Sequence, residues 1–166
     1  MRFLGWIPIW LSLGCSPATL PTSPVLNTEA TVQLIRQTGK PLILNLWATW
    51  CSPCVEELPS LQSLRESHPP ESLAILALSY DAMIPDQTPQ SAQAIVQNFM
   101  TSHAYTFHTA IFWADDFSDL DEFLKLPGPI PVTLAFNASG EEMGRIEGKA
   151  STSDLTKLVG LITPRP

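Results

Sequence analysis

Hydrophobic positions along the chain change period several times, and each change marks an element. Val32, Leu34 and Ile35 follow a cap at Asn27 or Thr28 and predict a short helix to about Thr38, stopped by Gly39-Lys40-Pro41. Leu42 to Trp47 is an almost unbroken apolar run, as in a strand buried on both faces. Val55, Leu58, Leu61 and Leu64 recur every third position and predict a helix over 52–67. Leu73 to Tyr80 reads as a second buried strand, Ala92 to His103 as a helix, and Ala110 to Trp113 as a short strand. Phe117 to Leu126 is a short helix ended by Pro127-Gly128-Pro129. Val132–Phe136 and Glu142–Glu147 flank the turn Asn137-Ala138-Ser139-Gly140 and predict a hairpin. Thr152 to Ile162 is a closing helix. Strands alternating with helices imply an α/β domain with a mainly parallel sheet and helices on both faces. The terminal hairpin makes that sheet mixed.

The first residues follow another pattern. Arg2 precedes an apolar run of about a dozen residues, shorter than the roughly 20 a membrane span needs and suited to a signal-peptide core. The run ends at Leu13-Gly14-Cys15, which resembles a bacterial lipobox, with Ser12 where such boxes prefer Leu. The division expected is a signal peptide over 1–14, a lipid-attachment cysteine and Pro/Ser/Thr tether over 15–27, and a folded domain over 28–166. Simple cleavage with Cys15 incidental, an uncleaved anchor, and an ordered N-terminal strand in place of the tether are the alternatives. Each version of the leader places the domain outside the cytoplasm, at the periplasmic face and membrane-anchored if Cys15 is lipidated.

Composition narrows the chemistry. The 166 residues carry a net charge of −7, which argues against a nucleic-acid partner. Three cysteines cannot build a disulfide-rich scaffold, but they allow one pair and one cysteine with a separate task. Cys51 and Cys54 are separated by two residues at the end of a buried strand, on the first turn of a helix. There the helix N–H groups and macrodipole favour negative charge and lower the pKa of the first thiol. A second thiol one turn on can resolve a mixed disulfide. Zinc is the rival use of such a pair, but no second CxxC exists and His68, His103 and His108 are scattered, so no metal is expected. A purely structural disulfide is the other alternative.

The run from Asn45 to Pro59, NLWATWCSPCVEELP, resembles the signature of the TlpA/ResA-like branch of the thioredoxin superfamily, and the similarity extends over about residues 30 to 163. The resemblance implies a thioredoxin-like fold, a central mixed β-sheet flanked by helices on both faces. It implies an extracytoplasmic, membrane-tethered thiol–disulfide oxidoreductase with no cofactor beyond the Cys51–Cys54 redox disulfide. In this likeness Cys51 is the attacking and Cys54 the resolving cysteine. Trp50 shapes the docking surface, and Ser52 and Pro53, between the cysteines, tune the potential. Pro59 kinks the active-site helix. Asn45 stands where thioredoxin has a buried aspartate. Glu57 matches the active-site glutamate of the branch, suited to proton handling or to raising the thiol pKa values; a solvated helix acid is the alternative, and Glu56 is read as surface. Ile130-Pro131 resembles the cis-proline loop, with Ile130 offering backbone to an extended substrate. The branch usually opens with a β-hairpin, whereas the segment here is short and reads as helical.

The resemblance also implies partners: a disulfide-containing secreted protein such as apocytochrome c as client, and a membrane thiol electron donor of the DsbD/CcdA kind. Reduction is the favoured direction, because a disulfide-forming oxidase usually carries His where Pro53 stands, together with a larger insertion. A peroxidase of the peroxiredoxin kind needs Pro-x-x-x-Thr-x-x-Cys, and Thr49 lies only two residues before Cys51. A client-binding module with an idle disulfide is the non-enzymatic alternative. The acidic run Asp115, Asp116, Asp119, Asp121 and Glu122 lacks EF-hand spacing and reads as a solvated face.

Overall fold

The structure, a computed structural model, describes residues 23–163. The signal peptide and Cys15 lie outside the described residues. Leu42–Trp47 forms β2, and all six of its residues are buried. That explains the continuous apolar run: this strand has neighbours on both edges and layers on both faces. It pairs in parallel with β3 (Ala74–Ser79), from Leu42 opposite Ala74 to Trp47 opposite Ser79. On its other side it pairs antiparallel with β5 (Val132–Phe136), Leu46 opposite Val132. β4 (His108–Phe112) extends the sheet beyond β3, and β6 (Glu142–Glu147) closes the far edge. With β1 (Val25–Leu26) the order is β1-β4-β3-β2-β5-β6. The expected mixed sheet with a terminal hairpin is therefore present.

Five helices connect the strands: α1 (Thr28–Gln37), α2 (Ser52–Ser67), α3 (Pro89–Ser102), α4 (Ser118–Leu124) and α5 (Thr152–Ile162). Asn27 caps α1 by accepting from the Ala30 N–H at 2.8 Å. Thr88 and Ser151 head reciprocal capping boxes on α3 and α5. α2 delivers Leu58, Leu61 and Leu64 to the core, and α3 sets Phe99 against the fully buried Trp47, ring centroids 5.5 Å apart. At the β5–β6 turn Gly140 has φ +77°, and a Cβ there would stand 2.9 Å from the Ile35 carbonyl oxygen and the Arg36 Cα. Only glycine meets both conditions.

One expectation is corrected here. The tether was placed over 15–27, yet its last residues belong to the folded unit. Ser23 is buried, and Val25–Leu26 pair in parallel with Ile111 and Phe112 of β4. Ile111 N–H donates to the Pro24 carbonyl at 2.8 Å and Trp113 N–H to the Leu26 carbonyl at 2.9 Å. β4 would otherwise be an open edge with unpaired backbone groups. Two residues suffice to cover it, too few to leave a strand pattern in the sequence. Among the described residues no hairpin precedes β2, in keeping with the helical reading of this segment, and no helix is long and apolar enough to cross a membrane.

Candidate active site

Parallel strands β2 and β3 end side by side, with Tyr80 N–H donating to the Trp47 carbonyl at 2.8 Å. In open α/β sheets ligands meet the protein beyond such carboxyl ends, where the strand order reverses. β2 is that reversal: β3 and β4 continue to one side of it, β5 and β6 to the other. The chain leaves β2 through Ala48-Thr49-Trp50 and enters α2 with Cys51 as the N-cap residue.

Cys51 and Cys54 are joined by a disulfide, S–S 2.06 Å. Cys54 is fully enclosed, Cys51 only nearly so, and Trp50 beside them is 52% exposed. The structure thus presents one sulfur at the rim and keeps the other behind it. No side chain caps α2, so its first N–H groups face the position where Cys51 would carry negative charge. Pro53 sits in the first turn, where a missing N–H removes no helical bond. Ser52 and Pro53 are exposed on the outer side of the ring. The Ile130–Pro131 peptide is cis, and the Ile130 carbonyl oxygen lies 3.8 Å from Cys51 Sγ. Ile130 is half-buried and Pro131 buried at this strand entrance beside the disulfide.

Glu57 stands one turn beyond Cys54 on α2, and it is not a solvated acid: it is 1% exposed. Its Oε1 accepts from the Asn45 amide at 2.6 Å and its Oε2 from the Ala150 N–H at 2.6 Å. Burial pushes the carboxyl above its ordinary value; the Ala150 and Asn45 hydrogen bonds and the nearby Lys149 charge pull the other way without cancelling it. Asn45 also donates to Thr133 Oγ1 at 3.0 Å, joining β2, β5 and α2 behind the cysteines. Glu56 points outward, exposed, and pairs with Lys149 at 2.6 Å. The segment Gly148–Ala150 touches both halves of the site, since Gly148 N–H donates to the Pro131 carbonyl at 2.9 Å.

Sequence reasoning missed Asp81. It begins a 3-10 turn, Asp81–Met83, directly after β3, and is 1% exposed. Its carboxylate accepts from the Thr49 N–H at 3.0 Å, from the Thr49 hydroxyl, and from the Ser79 hydroxyl at 2.6 Å. The signal available was an acid directly following a buried apolar strand, where it must find donors or leave the core. Thr133 and the backbone of Ala150 left no comparable signal. The acidic run 115–122 is mostly exposed: Asp116 holds the Ser118 N–H at 2.8 Å, and half-buried Asp121 accepts from the Tyr80 hydroxyl at 3.0 Å.

Comparisons agree with this geometry. A model of the AhpC/TSA family matches residues 18–111. The thiol-disulfide oxidoreductase ResA of Oceanobacillus iheyensis is 28% identical over 137 residues, covering 82% of this chain and 65% of the relative. ResA of Bacillus subtilis is 26% identical over 133 residues, covering 80% and 67%. This chain thus spans about two thirds of the length of the curated relatives it matches. Among solved structures, StoA of Bacillus subtilis superposes with a TM-score of 0.57 at 25% identity, covering 73% of this chain and 83% of that one. The fold is thioredoxin-like.

Proposed function

The chain belongs to the AhpC/TSA family, and from that premise we propose that it is a thiol–disulfide oxidoreductase working in the reductive direction on secreted proteins. The observation that carries the reading is a rim-facing Cys51 at the N-terminus of α2, with Cys54 and the buried Glu57 directly behind it. The names of the ResA relatives support the same activity.

In the dithiol form the Cys51 thiolate attacks one sulfur of a client disulfide. The client S–S bond breaks, its departing thiolate takes a proton, and a Cys51–client disulfide forms. The Cys54 thiol gives its proton to Glu57 and attacks Cys51 Sγ. The Cys51–Cys54 bond forms, the Cys51–client bond breaks, and the second client sulfur leaves as a thiolate that takes a proton from water. Two electrons have passed to the client, and an external dithiol must return them. A membrane donor of the DsbD/CcdA kind fits that need, and an apocytochrome c disulfide fits the place of the client. Lipidation at Cys15 would hold the domain at the extracytoplasmic face where both are met.

The test is the Cys51–Cys54 reduction potential of the full chain in dithiothreitol or glutathione buffers, with free thiols counted by mass shift. The reductive reading expects a value near or below roughly −220 mV. A value near roughly −120 mV would make the protein a disulfide-forming oxidase instead. Cys51→Ser abolishes exchange in either direction. A client-binding module would keep its client in that variant.

A further inference from the structure

Four segments meet at the site: 47–52, 80–85, 127–132 and 148–150. In the first three the only charged side chain is Asp81, which is buried, and in the fourth Lys149 is paired with Glu56. Asp81 ties two of the segments together, because its carboxylate holds the Thr49 N–H and hydroxyl while its own turn starts at the end of β3. Trp50 follows Thr49, and Met83 and Ile84 follow Asp81 at two and three residues. Ala82 between them is buried and anchors the turn. Trp50, Met83 and Ile84 are 52%, 43% and 38% exposed, three large apolar residues within three positions of the Thr49–Asp81 hydrogen bond. The redox chemistry of the cysteines needs neither Met83 nor Ile84.

We propose that Met83 and Ile84 are specificity-determining residues: with Trp50 they form an apolar rim that receives the aliphatic or aromatic side chain next to a client cysteine. The occupant is an extended, unfolded segment whose disulfide meets Cys51 while its flanking side chain leaves water on the rim. The inference rests on the thiol–disulfide reading above.

The experiment uses the full chain, pre-reduced and freed of reductant, in single turnover. Two peptides are supplied, each disulfide-linked to the same small thiol: one has a Leu-Cys-Val core, the other Ser-Cys-Gly. The rate of Cys51–Cys54 oxidation is followed by thiol alkylation and mass. The wild type should prefer the apolar core by about tenfold, the equivalent of about 1.4 kcal/mol. Met83→Ser/Ile84→Ser should bring the ratio to about one, and Met83→Leu/Ile84→Leu should preserve it. The single serine variants, each losing part of the preference, carry the test if the double variant does not fold. A wild type without preference, a serine variant that keeps it, or an equal loss on both peptides overturns the proposal. If the wild type oxidises with neither peptide, the activity itself is wrong and the rim falls with it.

Discussion

Burial raises the Glu57 carboxyl, so the folded protein holds its acid form more readily than the unfolded chain does. The stability this contributes is complete below the ordinary carboxylate value and is lost as pH rises through the raised one. Urea midpoints of the wild type should therefore fall as pH rises above the ordinary carboxylate value, and Glu57→Gln should remove that slope. The same variant should slow resolution by Cys54 by about 100-fold, the usual scale of a positioned acid or base, as read by the lifetime of a peptide mixed disulfide. Asp81→Asn replaces an acceptor of several buried hydrogen bonds with a group that accepts through one atom only. It should cost about 1–3 kcal/mol in denaturant unfolding. These two acids show unequal legibility. Glu57 was visible from the residues around CxxC, although its enclosure was not. Asp81 was invisible because its partner Thr49 is 32 residues away and reaches it only through the pairing of β2 with β3.

At the scale of elements, α2 does two jobs. Its N-terminus favours the Cys51 thiolate and its next turn carries the buried acid, so the redox pair and its proton acceptor share one rigid body. Cys54→Ser keeps that body but removes the resolving thiol. A covalent Cys51–client adduct should then persist under non-reducing electrophoresis and vanish with dithiothreitol. Period and turn chemistry made most elements readable: β2 from its apolar run, α2 from threefold spacing, the hairpin from Asn137–Gly140. β1 was not readable, because two residues carry no period and their role is set by the edge of β4. A chain beginning at residue 28 should accordingly be less stable than one beginning at 23, by about 2–4 kcal/mol. That loss combines the Asn27 cap of α1 and the partial burial of Leu26 with two backbone hydrogen bonds.

For the whole molecule, the sheet order puts β2 between the parallel and antiparallel halves, and that placement gathers segments around 50, 81, 130 and 150. The α/β class and the redox pair were legible because each lies within one stretch of chain. The enclosure of the site was not, since it depends on which distant stretches the sheet brings together. Gly140→Ala probes the same closure from the far end of the hairpin. Its Cβ would press on the backbone of Ile35 and Arg36. The variant should unfold about 1–3 kcal/mol more easily while leaving the Cys51–Cys54 potential nearly unchanged.

Gly148 and Ala150, which bind the Pro131 carbonyl and Glu57, are made long after the cysteines they help enclose. A growing chain presents its two thiols to any oxidant about a hundred residues before it can present the groups that surround them. A truncation stopping short of residue 148 is thus a bare dithiol, open to any disulfide that reaches it.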